Sequence, residues 1–112
     1  MNIKLDEHNN GCVLVKPETE RIDANNAEAL KIELSRLFEE SKKCVVVDLQ
    51  QVRFIDSSGL GALVSGFKNA SSRQASLKLC SLQSQVKSMF ELTRLHRVFD
   101  IFDDAESAFA NK

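Results

Sequence analysis

Cys44-Val45-Val46-Val47-Asp48-Leu49 is a near-continuous apolar run, rich in β-branched residues. Such a run reads as a strand buried on both faces, in the middle of a sheet flanked by other layers. The segments around it alternate in type. Downstream, Gln50–Ile55 leads away from the strand, and Leu60, Leu63, Val64 and Phe67 share one face of a helix predicted over about Ser57–Ala70. Ser71-Ser72-Arg73-Gln74 is a polar loop, and Leu77-Lys78-Leu79 an alternating strand. A third helix carries Val86, Met89 and Phe90, and Val98–Phe102 is the last strand, with Asp103 placed to cap a short final helix bearing Ala105, Ala108 and Phe109. Upstream, Asp23-Ala24-Asn25-Asn26 offers N-cap chemistry to an amphipathic helix with Ala27, Leu30, Leu34, Leu37 and Phe38 inward, ending near Ser41; Ile32 falls off its apolar stripe. Ile3–Leu5 and Cys12–Val15 are strands joined through Asn9-Asn10-Gly11, a hairpin signal, and Pro17 stops the second. The predicted order is ββαβαβαβα: an α/β fold whose mixed, mostly parallel sheet has about five strands with about four helices, begun by an antiparallel hairpin.

The chain has 112 residues, enough for one domain that buries roughly two-thirds of its unfolded surface without metals or disulfides. Its 15 basic and 16 acidic residues leave a net charge of −1, which argues against direct nucleic-acid binding. Without an apolar run approaching the ~18 residues of a membrane span, or the apolar core of a secretory signal after Met1, membrane insertion is not expected. Cys12, Cys44 and Cys80 are odd in number and widely spaced, so a disulfide framework is not expected. Cys44 and Cys80 flank apolar strands and suit core positions. A reduced, cytoplasmic domain spanning residues 1–112 is the expectation.

One window breaks the local rules. Three of the four glycines, Gly59, Gly61 and Gly66, fall inside a segment whose apolar spacing says helix. Each costs about 1 kcal/mol relative to alanine in a helix interior, so another requirement acts there. Gly59, Ala62 and Gly66 leave one helical stripe almost without side chains. The stripe suits either a partner that docks closely or close packing inside the domain. Just ahead of it, Asp56-Ser57-Ser58 opens the helix, where unpaired amides and the positive dipole end favour anions. A phosphoserine there would add about −1.5 to −2 charges beside the stripe. The plainer reading is that Asp56 or a serine is simply an N-cap.

Val45-Val46-Val47-Asp48-Leu49 followed by Phe54-Ile55-Asp56-Ser57-Ser58-Gly59-Leu60-Gly61 resembles the signature of STAS domains, and more specifically the single-domain bacterial anti-sigma-factor antagonists. The resemblance extends to the first hairpin, Ile22-Asp23, and Leu95–Phe102. It implies a partner switch without catalytic residues, metal or cofactor. The unmodified antagonist binds an anti-sigma factor that is also a GHKL-type serine kinase, which frees the sigma factor. Phosphorylation of Ser57 releases that partner, and a PPM-type phosphatase restores the unmodified form. Asp23, Asp56, Ser58, Gly59, Ala62 and Gly66 would then belong to the docking face. Glu20 and Arg94 stand where relatives often have glycine, which bears on loop geometry and partner identity. A second role seen among such domains is a subunit of a stable assembly, either a lipid-transport ATPase complex or a stressosome-type scaffold, with Ser57 only a cap.

Other chemistry fits poorly. Gly59-x-Gly61 is followed next by Gly66, which fails the dinucleotide spacing, and no G-K-[S/T] loop is present. Ser57 and Ser58 lack a nucleophile elbow. His8 and His96 are isolated, and the cysteines have no C-x-x-C pairing for a metal.

Overall fold

The computed structural model describes residues 1–8 and 10–110. Cys44–Asp48 (β4) lies at the centre of a five-stranded sheet ordered β1-β2-β4-β6-β7, where β1 is Ile3–Glu7, β2 Cys12–Pro17, β6 Ser76–Cys80 and β7 Asp100–Phe102. Only the β1–β2 pair is antiparallel; β2–β4, β4–β6 and β6–β7 are parallel. Val45, Val46 and Val47 are fully buried, so β4 is covered on both faces as its composition requires. Two two-residue strands that the sequence pattern does not resolve, β3 (Arg21–Ile22) and β5 (Phe54–Ile55), form a separate parallel ribbon.

Helices α1 (Ala27–Glu39), α2 (Ser57–Ser72) and α3 (Ser84–Leu92) carry the larger core. Leu30, Leu34, Leu37 and Phe38 of α1 are buried with Leu63 of α2 and Val86 and Phe90 of α3 against the Val13, Val15, Val45, Val47 and Leu79 face of the sheet. Ile32 is exposed. The opposite face carries a smaller core in which α4 (Ala105–Ala110) sets Ala108 and Phe109 over Cys12, Val46 and Cys80. Lys78 points to this face and is buried. Its ammonium donates to the Ala108 carbonyl at 3.1 Å and lies 5.7 Å from the Phe102 ring centroid.

Several expectations change. The Asn9–Gly11 turn falls partly on Asn9, outside the described residues; Gly11 has φ +86°, and its amide donates to the His8 carbonyl. The expected strand over Val98–Phe102 is only Asp100–Phe102, because Leu95–Arg97 coils into a 3-10 turn. Asp104, not Asp103, caps the last helix, accepting the Ser107 amide at 2.8 Å. The largest correction concerns sulfur. Cys12 and Cys44 are opposite each other in the β2–β4 register, 4.5 Å apart at Cα, and are joined in a disulfide. Wide sequence spacing gives no hint of this, since a parallel crossover returns the chain beside itself. Cys80 stays a buried thiol, and burial pushes its pKa up to about 11, which keeps it protonated and inert.

The bridge closes a loop of sequence separation 32, so reduction should lower stability by about 3 kcal/mol and the melting midpoint by roughly 10 °C or more. Melts with and without dithiothreitol check this; an unchanged midpoint would show that the sulfurs are not joined in solution. Arg94 follows α3 in the left-handed region at φ 62° and ψ 15°, so Arg94→Gly should stabilise by about 0.5–1 kcal/mol in a denaturant titration.

Candidate functional site

The β3–β5 ribbon brings two acidic residues side by side. Ile22 pairs with Ile55, so Asp23 and Asp56 each follow a paired residue, and the Asp56 amide donates to the Ile22 carbonyl at 3.2 Å. Asp23 is fixed by its own turn: its Oδ1 accepts the Asn25 amide at 3.0 Å, and its amide donates to Asn26 Oδ1 at 2.9 Å. Asn26, the residue ahead of α1, therefore braces the loop instead of capping the helix with its side chain. Arg21 stands 3.6 Å from Asp23 Oδ2 and stacks over Phe54 at 4.3 Å, locking the two strands of the ribbon together.

Asp56 is the cap of α2. It is extended, at φ −103° and ψ −173°, and its Oδ1 accepts the amides of Ser58 at 2.9 Å and Gly59 at 3.1 Å. Two of the orphan amides at the helix start are thus satisfied by one carboxylate. Ser57 and Ser58 are exposed on the first turn. Ser57 thus occupies the start of a 16-residue helix without being its cap.

The stripe of small residues divides. Gly59 and Gly66 face inward, which corrects the expectation that they form an open docking surface. A Cβ on Gly59 would sit 2.6 Å from Ile55 Cγ1 and 2.8 Å from Ile22 Cγ2; one on Gly66 would sit 2.9 Å from Leu34 Cδ1. Both glycines exist for close packing of α2, onto the ribbon and onto α1. Ala62 is also nearly buried, at 4% exposure, yet its edge lines a shallow depression with Ser58 and Gly61. The depression holds about 270 Å³ and is closed on the α1 side by Ala24, Ala27, Glu28 and Lys31. Helical periodicity sets Glu28 and Lys31 on the solvated side of α1 and does not reveal their position at this rim. The only signal is weak: i,i+3 spacing on a helix whose orientation the sequence leaves open. Among the described residues no cluster of histidine, cysteine or acidic groups could hold a metal ion.

The model for the STAS domain matches residues 4–108. The chain belongs to the STAS domain family. Among curated relatives, the anti-sigma-B factor antagonist of Bacillus subtilis is 31% identical over 106 residues, covering 95% of this chain and 96% of the relative. A STAS-domain anti-sigma-factor antagonist protein from Planctomyces limnophilus superposes with a TM-score of 0.86 at 20% identity, over 96% of this chain and 95% of that one. The Bacillus cell fate determinant SpoIIAA in its phosphorylated form superposes with a TM-score of 0.75 at 14% identity, over 97% of each chain. This STAS chain thus shares the fold of those proteins.

The packing separates the glycines experimentally. Gly59→Ala should destabilise by about 1–2 kcal/mol, because overpacking at Ile22 and Ile55 exceeds the helix-propensity gain. At Gly61 a Cβ meets nothing within 4 Å, so Gly61→Ala should stabilise by up to about 1 kcal/mol. Chemical denaturation of both variants checks the pair, and equal effects would contradict the inward packing of Gly59.

Proposed function

We propose that this protein is an anti-sigma-factor antagonist switched by phosphorylation of Ser57. The observation that carries the reading is that Asp56 alone supplies the cap, leaving the adjacent Ser57 exposed at the helix start. A serine kept only as a cap would occupy the position Asp56 occupies. A phosphate on Ser57 meets the positive end of the α2 dipole, which favours it, and stands close to the Asp56 carboxylate, which opposes it. The Asp56 Oδ1 is already engaged by two amides, so the added charge need not disrupt the cap. Its effect falls on whatever docks over Ser58, Gly61 and the Ala62 edge between Asp23 and the Glu28–Lys31 rim.

The docked partner in this reading is an anti-sigma factor that is also a GHKL-type serine kinase. Binding sequesters it from its sigma factor; transfer of phosphate to Ser57 places about two negative charges in the contact and expels it. A PPM-type phosphatase resets the cycle. The antagonist itself is a substrate and a binding module, not an enzyme, and binds no nucleic acid directly. Among the described residues no helix is long and apolar enough to cross a membrane, and we place the switch in the cytoplasm. The Cys12–Cys44 bridge would there meet a reducing thiol pool, against which the burial of Cys12 gives partial cover. Support comes from the family match, from the names of the curated relatives and from the likeness to SpoIIAA in its phosphorylated form.

The test is retention of partners from source-organism lysate on Ser57→Ala and Ser57→Asp baits, followed by affinities with the purified kinase. Ser57→Ala should bind constitutively, and Ser57→Asp at least about tenfold more weakly, a difference of about 1.4 kcal/mol. A transporter ATPase or scaffold held equally by both baits would remove the switch and assign the chain to a stable assembly.

A further inference from the structure

The sheet ends at β1 on one side, and among the described residues no element pairs with that strand beyond β2. The register of β1 against β2 says which backbone groups face outward. The His8 amide donates to the Cys12 carbonyl at 2.9 Å, and the Glu18 amide to the Asn2 carbonyl at 2.8 Å, at the two ends of the ladder. Hydrogen-bonded pairs alternate along an antiparallel ladder. Lys4–Lys16 and Asp6–Leu14 are therefore the bonded pairs between, whereas Ile3–Pro17, Leu5–Val15 and Glu7–Val13 are not bonded. Proline at position 17 agrees with this phase, since it has no amide to give. The N–H and C=O groups of Ile3, Leu5 and Glu7 consequently point away from the sheet along an open edge.

An open edge is a template for another strand, and side-chain charges decide which strand it accepts. Two copies of β1 can pair antiparallel around a two-fold axis only where the outward residues 3, 5 and 7 meet one another. Three centred registers bring more than one of these residues opposite another. Centred on residue 4, Lys4 faces Lys4 of the second copy; centred on residue 6, Asp6 faces Asp6. Both are like-charge pairs directly across the strands, which is unfavourable. Centred on Leu5, the outward backbone groups of Leu5 meet their own copies, Ile3 meets Glu7, and Lys4 meets Asp6 twice in the narrow, non-bonded positions. The Glu7 carboxylate is already neutralised by Lys42 of its own chain at 2.6 Å, so its meeting with Ile3 carries no unpaired charge. Leu5 is 37% exposed and would be covered at the axis. Within one chain, Lys4 stands opposite Lys16, and among the described residues neither Lys4 nor Asp6 has an ion-pair partner.

We infer that β1 is a self-association edge, and that its occupant is β1 of a second copy in the register centred on Leu5. The pairing makes about six backbone hydrogen bonds, two for each of the three outward-facing pairs, together with two Lys4–Asp6 ion pairs, and runs one sheet through both copies. A five-residue strand covers less than the ~1,200 Å² of a stable interface, so the dimer is weak and forms reversibly with concentration. It uses a strand that contributes nothing to the Ser57 site, so it stands or falls separately from the proposed switch.

Sedimentation equilibrium of the full chain from micromolar to millimolar concentration tests the inference. The wild-type weight-average mass should rise toward twice the monomer value. Lys4→Asp and Asp6→Lys should each weaken self-association at least about tenfold, because each puts like charges across both contacts. Mixed in equal amounts, the two variants should associate with each other, since both cross-strand contacts then join an aspartate of one copy to a lysine of the other. Leu5→Pro removes an outward amide and no β1–β2 hydrogen bond, and should also abolish association; circular dichroism establishes that each variant is folded. A wild-type chain that stays monomeric throughout, a dimer indifferent to these charges, or a mixture that does not associate would each overturn the proposal.

Discussion

Everything at the candidate site depends on the absence of a side chain at Gly59. Because nothing projects from that residue, the first turn of α2 rests directly on Ile22 and Ile55, both almost fully buried. That contact fixes the helix against the β3–β5 ribbon, and the ribbon in turn sets Asp23 and Asp56 side by side. A larger residue would lift the helix start away from the ribbon and loosen the carboxylate–amide geometry of Asp56. The conformational cost of glycine inside a helix is thus offset by placement: the chain gives up local stability so that the first turn of α2 can seat directly on the ribbon.

Much of this is legible in the sequence, for reasons that can be stated residue by residue. Val45, Val46 and Val47 have to be covered on both faces, which fixes the middle of the sheet. Asp56 ahead of an apolar-periodic segment has to be considered as a cap, and it is one. The direction of the glycine stripe is not legible. A side-chain-free stripe invites close approach from either inside or outside, and helical periodicity does not say which until the neighbours of Gly59 and Gly66 are known. The ribbon strands escape because two residues each are too few for a period-2 pattern. Lys78 in an alternating strand looks solvated, yet α4 covers it and supplies a helix-terminal carbonyl for its ammonium. The pairing of Cys12 with Cys44 depends on register between strands separated by a whole helix, which no local pattern encodes.

The two faces of the sheet are stabilised differently. Helices α1, α2 and α3 bury one face broadly and carry the Asp23–Asp56–Ser57 region at their edge. The other face depends on one short helix. Its six residues hold by Phe109, which stacks on His8 at 3.9 Å between ring centroids, and by the Lys78–Ala108 contact. Asn10 reinforces this corner by donating to the Phe109 carbonyl while its Oδ1 accepts the Cys12 amide. Stability on this side therefore rests on a few long-range contacts between early and late parts of the chain.

The order of synthesis gives that corner a further meaning. Cys12, Cys44 and Val46 leave the ribosome well before Phe109, so on a growing chain their face of the sheet has no cover. Cys12 and Cys44 can meet, and their bond can be made or cut, before α4 closes over them. Once Phe109 has docked on His8, Cys12 is only 2% exposed. Cys44 stays half-buried, so the pair is more open to thiols before α4 docks than after, without being sealed from them.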